Sequence, residues 1–176
     1  DRRGNLTLTN INGLCRIALD KLKKTYEQDI QEKNIRIVFD NLTLSLMMEV
    51  NVEQFSKVLA GILKNSMYAL LKKSETVTFS PEIFLGLKVN KDMLEITIRD
   101  NGSGIDENIK DKIFAPFFTT KTTGEAAGVG LYLCREIVQN HRGTIEVESK
   151  KGEYTQFLIT IPVYQPKTIT PPKEEE

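Results

Sequence analysis

The stretch MLEITIRD, residues 93–100, alternates apolar and polar side chains and then breaks into NGSG. Successive side chains on a strand point to opposite faces, so Leu94, Ile96 and Ile98 share one face and Asp100 falls in phase with them. The fold therefore needs a sheet with one covered face, and it brings a carboxylate to that covered layer. Burying an unpaired charge costs several kcal/mol, so Asp100 needs donors. Backbone N–H groups of the next turn can serve, as they often do for Asp. A ligand can serve equally. Gly102 and Gly104 favour the ligand, because glycine permits a tight turn and leaves bare backbone for a flat molecule. A carboxylate beside bare backbone suits the exocyclic amine of a purine. Phosphate-loop signatures do not fit: the chain has no GxxxxGK[ST], and neither glycine cluster completes GxGxxG.

The rest of the chain supplies layers for such a sheet. LTLTNINGLCRIALDKLKKTYEQ reads as a short extended piece and then a helix, capped by Asn10, with Ile11, Leu14, Cys15, Ala18 and Leu22 on one stripe. IRIVFD and SLMMEV alternate and read as a pair of strands. A long helix is expected from Val52 to Lys73, with Asn51 and Gln54 resembling a capping box. TVTFSPEIFLGLKVN is β-rich but interrupted by Pro81 and Gly86. A short helix around Glu107 to Ile113, a loop through Gly128, a helix from Val129 to Asn140 and two strands, GTIEVES and TQFLITIP, complete the pattern. Strands and helices mix without strict βαβ alternation. The expected class is an α/β two-layer sandwich, a mixed sheet covered on one face by helices. One domain over residues 1–163 and a disordered tail or linker over 164–176 follow from the Pro- and charge-rich ending.

Two further segments gather around the carboxylate. In the long helix, Gly61, Asn65 and Tyr68 share a stripe by their spacing of four and three. An amide amid apolar positions either bonds a neighbouring loop or offers its oxygen to a hard cation such as Mg²⁺. The segment FAPFFTTKTTGEAAGVGLYL places a Thr- and Gly-rich loop before a helix start, the pattern of a functional lid. Free N–H groups at Gly128, Val129 and Gly130 can receive phosphate. Lys121 is a cation within the loop or a solvated surface lysine. Phe114, Phe117 and Phe118 read as anchors for its base.

The 24 Lys plus Arg balance 24 Asp plus Glu, so the chain lacks the basic signature of a dedicated nucleic-acid binder. No apolar run reaches membrane-span length. Cys15 and Cys134 sit in apolar helical patterns and read as buried thiols of a reducing compartment.

The ordered set, NSMYAL with Asn65, DNGSGI, FAPFFTTK and GEAAGVGL, resembles the ATP-binding catalytic domain of sensor histidine kinases. That family lies within the group it shares with DNA gyrase and mismatch-repair ATPases. The resemblance runs from about Leu8 to Pro162 and implies a Bergerat-type ATP-binding fold holding ATP and Mg²⁺. It implies Asn65 as the metal-binding and catalytic residue. It further implies nucleotide contacts from Tyr68, Asp100, Gly102, Gly104, Ile105, Phe117, Lys121, Gly128, Val129, Gly130, Leu131 and Thr155. The implied activity is transfer of the γ-phosphoryl group to a histidine on a separate helical phosphoacceptor domain of the same homodimeric parent. A response regulator then acts downstream. This chain is expected to be a cytoplasmic fragment of a membrane-bound sensor, with no membrane or nucleic-acid contact of its own. Gly61 replaces a usual Asn, and Ala126 a frequent lid glycine. These departures keep open a regulatory nucleotide-binding module with degraded catalysis, beside a gyrase- or mismatch-repair-type ATPase. His141 follows a helix and reads as structural.

Overall fold

The computed structural model describes residues 3–116, 118 and 130–164. Their elements run β1 (Thr7–Asn10), α1 (Ile11–Thr25), α2 (Glu27–Lys33), β2 (Arg36–Asp40), β3 (Met47–Val50), α3 (Val52–Ser74), β4 (Glu82–Asn90), β5 (Met93–Asp100), α4 (Leu131–Asn140), β6 (Thr144–Lys150) and β7 (Tyr154–Pro162). Five strands form a sheet in the order β2-β4-β5-β7-β6. The β2–β4 pair is parallel and the others are antiparallel, so the sheet is mixed as expected. Helices α3 and α4 pack on its inner face, and α1 packs on α3.

Cross-strand register explains where the core ends. Leu87, Ile96, Ile159 and Ile145 face one another across β4, β5, β7 and β6, and Leu85, Ile98, Phe157 and Val147 form the next row. All but Val147, which is half-buried, are buried. The row beyond is Ile83, Asp100, Thr155 and Ser149. An apolar layer thus turns polar along one line at one end of the sheet.

The two helix caps follow the sequence. Asn10 Oδ1 accepts from Gly13 N at 3.0 Å, and Asn51 Oδ1 accepts from Gln54 N at 3.0 Å. Cys15 and Cys134 are buried free thiols, each pushed up to about 12 by burial.

Several expectations change. The strands of IRIVFD and SLMMEV do not pair with each other: β2 joins the main sheet, whereas β3 pairs with β1 in a separate two-stranded ribbon. The N-terminal helix stops at Thr25, and a second helix, α2, follows and ends at Asn34 in the left-handed conformation. Between Glu107 and Ile113 only the single 3₁₀ turn Lys110–Lys112 forms. Gly86 does not interrupt β4: it pairs in register with Thr97, and its missing Cβ leaves room for the Phe84 ring, which a Cβ would meet at 2.7 Å. The expected tail from residue 165 onward lies outside the described residues.

Candidate functional site

The polar row supplies the site's floor. Asp100, Thr155 and Ser149 are 2%, 5% and 7% exposed, so all three leave water on folding. Asp100 Oδ1 accepts from Gly102 N at 2.9 Å. The Ser66 hydroxyl, 1% exposed on α3, lies near enough to lower the Asp100 pKa but closes no hydrogen bond by geometry. Burial dominates over this and over the charges of Lys73 and Arg99, and pushes the Asp100 carboxyl up to about 7. One backbone bond only partly offsets the cost of burying this carboxylate. It stands ready for a further donor.

Thr155 lies directly opposite Asp100 on β7. Its Oγ1 is 3.0 Å from Ser149 Oγ. Ser149 also donates to Tyr154 O at 2.7 Å and accepts from Ile105 N at 2.8 Å. Ile105 is thus tied to the floor by its backbone.

The NGSG turn is clamped between two elements. Ser103 N donates to Ala69 O of α3 at 3.2 Å, and Gly152 N donates to Ser103 O at 2.6 Å. Asn101 bonds Glu82 N at 2.8 Å and Ser80 O at 2.8 Å, and Lys73 Nζ reaches Asn101 O at 3.0 Å. A Cβ on Gly102 would stand 2.6 Å from the Ala69 carbonyl carbon, and one on Gly104, at φ +68°, would collide with the Lys150 carbonyl. The glycine requirement therefore has a source the sequence did not suggest. Both are needed to seat the loop against protein backbone, whatever ligand lies beside it.

Asn65 is half-buried on α3, with Gly61 buried one turn earlier and Tyr68 half-buried one turn later. No hydrogen bond joins its amide to another described residue. No group of three or more His, Cys, Asp or Glu that could hold a metal occurs among the described residues. An amide oxygen still suits Mg²⁺, which keeps waters and takes phosphate oxygens rather than an all-protein cage.

Phe114 and Phe118 pack against the core, as expected of anchors. Phe114 meets Phe157 edge-on at 6.3 Å, and the Arg135 guanidinium lies 5.4 Å from the Phe114 ring. Gly130 caps α4 without a side-chain bond, and a Cβ there would meet nothing within 4 Å. Leu131 opens α4 and packs against the core. Phe117, Lys121, Gly124, Ala126, Gly128 and Val129 lie outside the described residues.

Ser66 and Ser149 were absent from the sequence reading. Both were findable by period: Ser66 is in phase with Ile62 and Leu70 on the helix, and Ser149 with Ile145 and Val147 on the strand.

His141 lies at the far end of α3. It is fully buried, its Nε2 accepts from Asn51 N at 3.1 Å, and its Nδ1 lies 2.9 Å from Ile137 O. A carbonyl can only accept, so Nδ1 carries the proton and Nε2 the lone pair. Burial lowers the His141 pKa, with the Arg3 charge adding to it. The ring thus replaces the return arm expected of Gln54 in a capping box. From Asn51 to Ala69 is 18 residues, roughly 27 Å of helix at ~1.5 Å per residue. His141 is structural and remote from the Asp100 site.

Residues 51–165 match the family described as histidine kinase-, DNA gyrase B-, and HSP90-like ATPase. Cyanobacterial phytochrome A of Nostoc sp. is 35% identical over 149 residues, 83% of this chain and 18% of that protein. Sensor histidine kinase ZraS of Salmonella typhi is 28% identical over 158 residues, 90% of this chain and 31% of that protein. The chain thus spans less than a third of either relative. The catalytic domain of histidine kinase ThkA superposes with a TM-score of 0.73 at 28% identity, covering 91% of this chain and 97% of that one. ThkA in complex with the response regulator protein TrrA gives 0.67 at 26% identity, over 90% of this chain and 42% of that one.

Proposed function

Because this chain belongs to the histidine kinase-, DNA gyrase B-, and HSP90-like ATPase family, as a histidine kinase ATPase domain of the sensor-kinase kind, we propose that it binds Mg-ATP and passes the γ-phosphoryl group to a histidine on a separate helical domain. The observation that carries this reading is the buried row Asp100–Thr155–Ser149, beside a clamped loop and an amide on α3 that bonds no other described residue.

The residues fit the roles. Asp100 accepts from the adenine amine, and Thr155 stands opposite to help read the base. Gly102, Gly104 and Ile105 hold the loop edge of the base pocket. Tyr68 lines it from α3. Asn65 lends its amide oxygen to the metal. Bound Mg²⁺ supplies charge neutralisation on the phosphates. Phosphate and lid contacts are assigned to Phe117, Lys121 and Gly128 through Leu131. Such transfer is mainly positioning and charge stabilisation, so the domain needs no nucleophile of its own. The acceptor domain belongs to the same homodimeric parent, a membrane-bound sensor whose catalytic domain works in the cytoplasm and serves a response regulator. No described helix is long and apolar enough to cross a membrane.

Hydrolysis of the gyrase or mismatch-repair kind is disfavoured. Within α3 the only carboxylate is Glu53, twelve residues or roughly 18 Å from Asn65. Gly61 provides no base. It is also the observation behind a second reading, a regulatory nucleotide-binding module with weakened catalysis.

Joining the chain to its upstream acceptor domain and adding γ-labelled ATP separates these readings. Label on an upstream histidine is expected. Nucleotide retained without transfer supports the regulatory module, and rapid phosphate release supports a hydrolase.

A further inference from the structure

Ser149 has three polar neighbours and one proton. The Ile105 N–H, at 2.8 Å, can only donate. The Tyr154 carbonyl, at 2.7 Å, can only accept. The serine proton therefore goes to Tyr154, and one lone pair goes to Ile105. Only a lone pair remains for Thr155 Oγ1 at 3.0 Å, so that contact closes only if Thr155 donates. The Thr155 proton is thus used within the row, on the β6 side away from Asp100. Its remaining valences are lone pairs, and the residue directly opposite is Asp100.

We infer that Ser149 is a positioning residue that fixes the Thr155 hydroxyl, making the β5–β7 rim an acceptor-only edge that selects a 6-amino over a 6-oxo purine. This rests on the nucleotide reading above. A 6-amino group brings hydrogens to that edge, whereas a 6-oxo group sets a third acceptor against two. Sites built around hydrogen-bonding groups reject a ligand that leaves them unpaired far more strongly than apolar pockets reject a size change. Without Ser149, the Thr155 hydroxyl is released to rotate and can donate to an oxo group.

The test is equilibrium binding of ATP and ITP at pH 8 to the wild-type chain, Ser149→Ala, Thr155→Val and the double variant, each checked for folding by circular dichroism. The wild type should prefer ATP by about 100-fold or more. Ser149→Ala should narrow that preference about tenfold, and the double variant should match Thr155→Val within about twofold, because Ser149 acts through Thr155. An unchanged ATP-to-ITP ratio in Ser149→Ala, or losses that multiply in the double variant, overturns the inference. NMR of the wild type gives a second readout that needs no variant. A slowly exchanging Thr155 hydroxyl proton with a cross-peak to the Ser149 β-protons is expected, and a rapidly exchanging one overturns the assignment. If the wild type binds neither nucleotide, the nucleotide reading fails, while the NMR result still decides the proton arrangement.

Discussion

Helix α3 has a buried polar cluster at each end, and the two clusters are bonded differently. At its N-terminus, Asn51 spends its carbonyl on Gln54 N, its amide on Arg3 O at 2.6 Å and its backbone N–H on His141. His141 spends both ring nitrogens. The exception is Gln54 Oε1, buried without a partner because the histidine has taken the place of the return arm. Toward the other end, among the described residues, Asp100 holds one backbone bond and neither the Ser66 hydroxyl nor the Asn65 amide holds any. Buried polar groups are almost always bonded, and each exception needs a cause. A cluster closed on protein fixes the fold, and a cluster left open on an otherwise rigid sheet is suited to a ligand.

Two substitutions can break that contrast. The larger effect on stability belongs to His141→Ala, which deletes a buried ring packed edge-on against Phe55 at 4.7 Å and strands the Asn51 N–H. We expect a loss of about 2–4 kcal/mol by denaturant unfolding, with ATP affinity of the folded fraction unchanged. Its pH dependence has a definite sign. The folded pKa lies below the unfolded one, so the histidine's contribution is full above about 6.5 and is lost as pH falls toward the folded value. His141→Ala should flatten stability over that window. The smaller effect belongs to Asn65→Ala, which should leave the unfolding midpoint within error and weaken nucleotide binding about tenfold, some 1.4 kcal/mol, in Mg²⁺ but not in EDTA. Equal losses in both media would make Asn65 a structural amide and erase the contrast.

How far the sequence foretold this differs between the two clusters. Asp100 was legible because strand period is strict and a single charge in phase with Leu94, Ile96 and Ile98 stands out. Thr155 came from the family resemblance, and its place opposite Asp100 agrees with its phase with Phe157, Ile159 and Ile161. Both helix caps of α1 and α3 were legible because capping is local. Ser66 and Ser149 were overlooked because a serine in an apolar pattern looks like tolerated small volume until its partners are known. The His141–Asn51 bond spans 90 residues, and no local pattern announces it. The expected pairing of IRIVFD with SLMMEV failed for the same reason, because β2 pairs instead with β4 across the intervening α3. That pairing begins where Arg36 N donates to Pro81 O at 2.9 Å, 45 residues apart in sequence.

The central claim is that Asp100 is a costly residue kept for its ligand, and Asp100→Asn tests it most directly by ATP titration and thermal unfolding on the same samples. With a folded pKa near 7 against an unfolded value near 3.8, the carboxyl costs stability as pH rises between those values, on the order of 4 kcal/mol in full above pH 7. A neutral amide keeps the Gly102 N–H bond without that cost. The prediction is an Asn variant that unfolds at a higher temperature than wild type at pH 8, with the advantage gone at pH 4, and that binds ATP at least about 100-fold more weakly. A variant that binds ATP with wild-type affinity, or one destabilised at pH 8, contradicts the account.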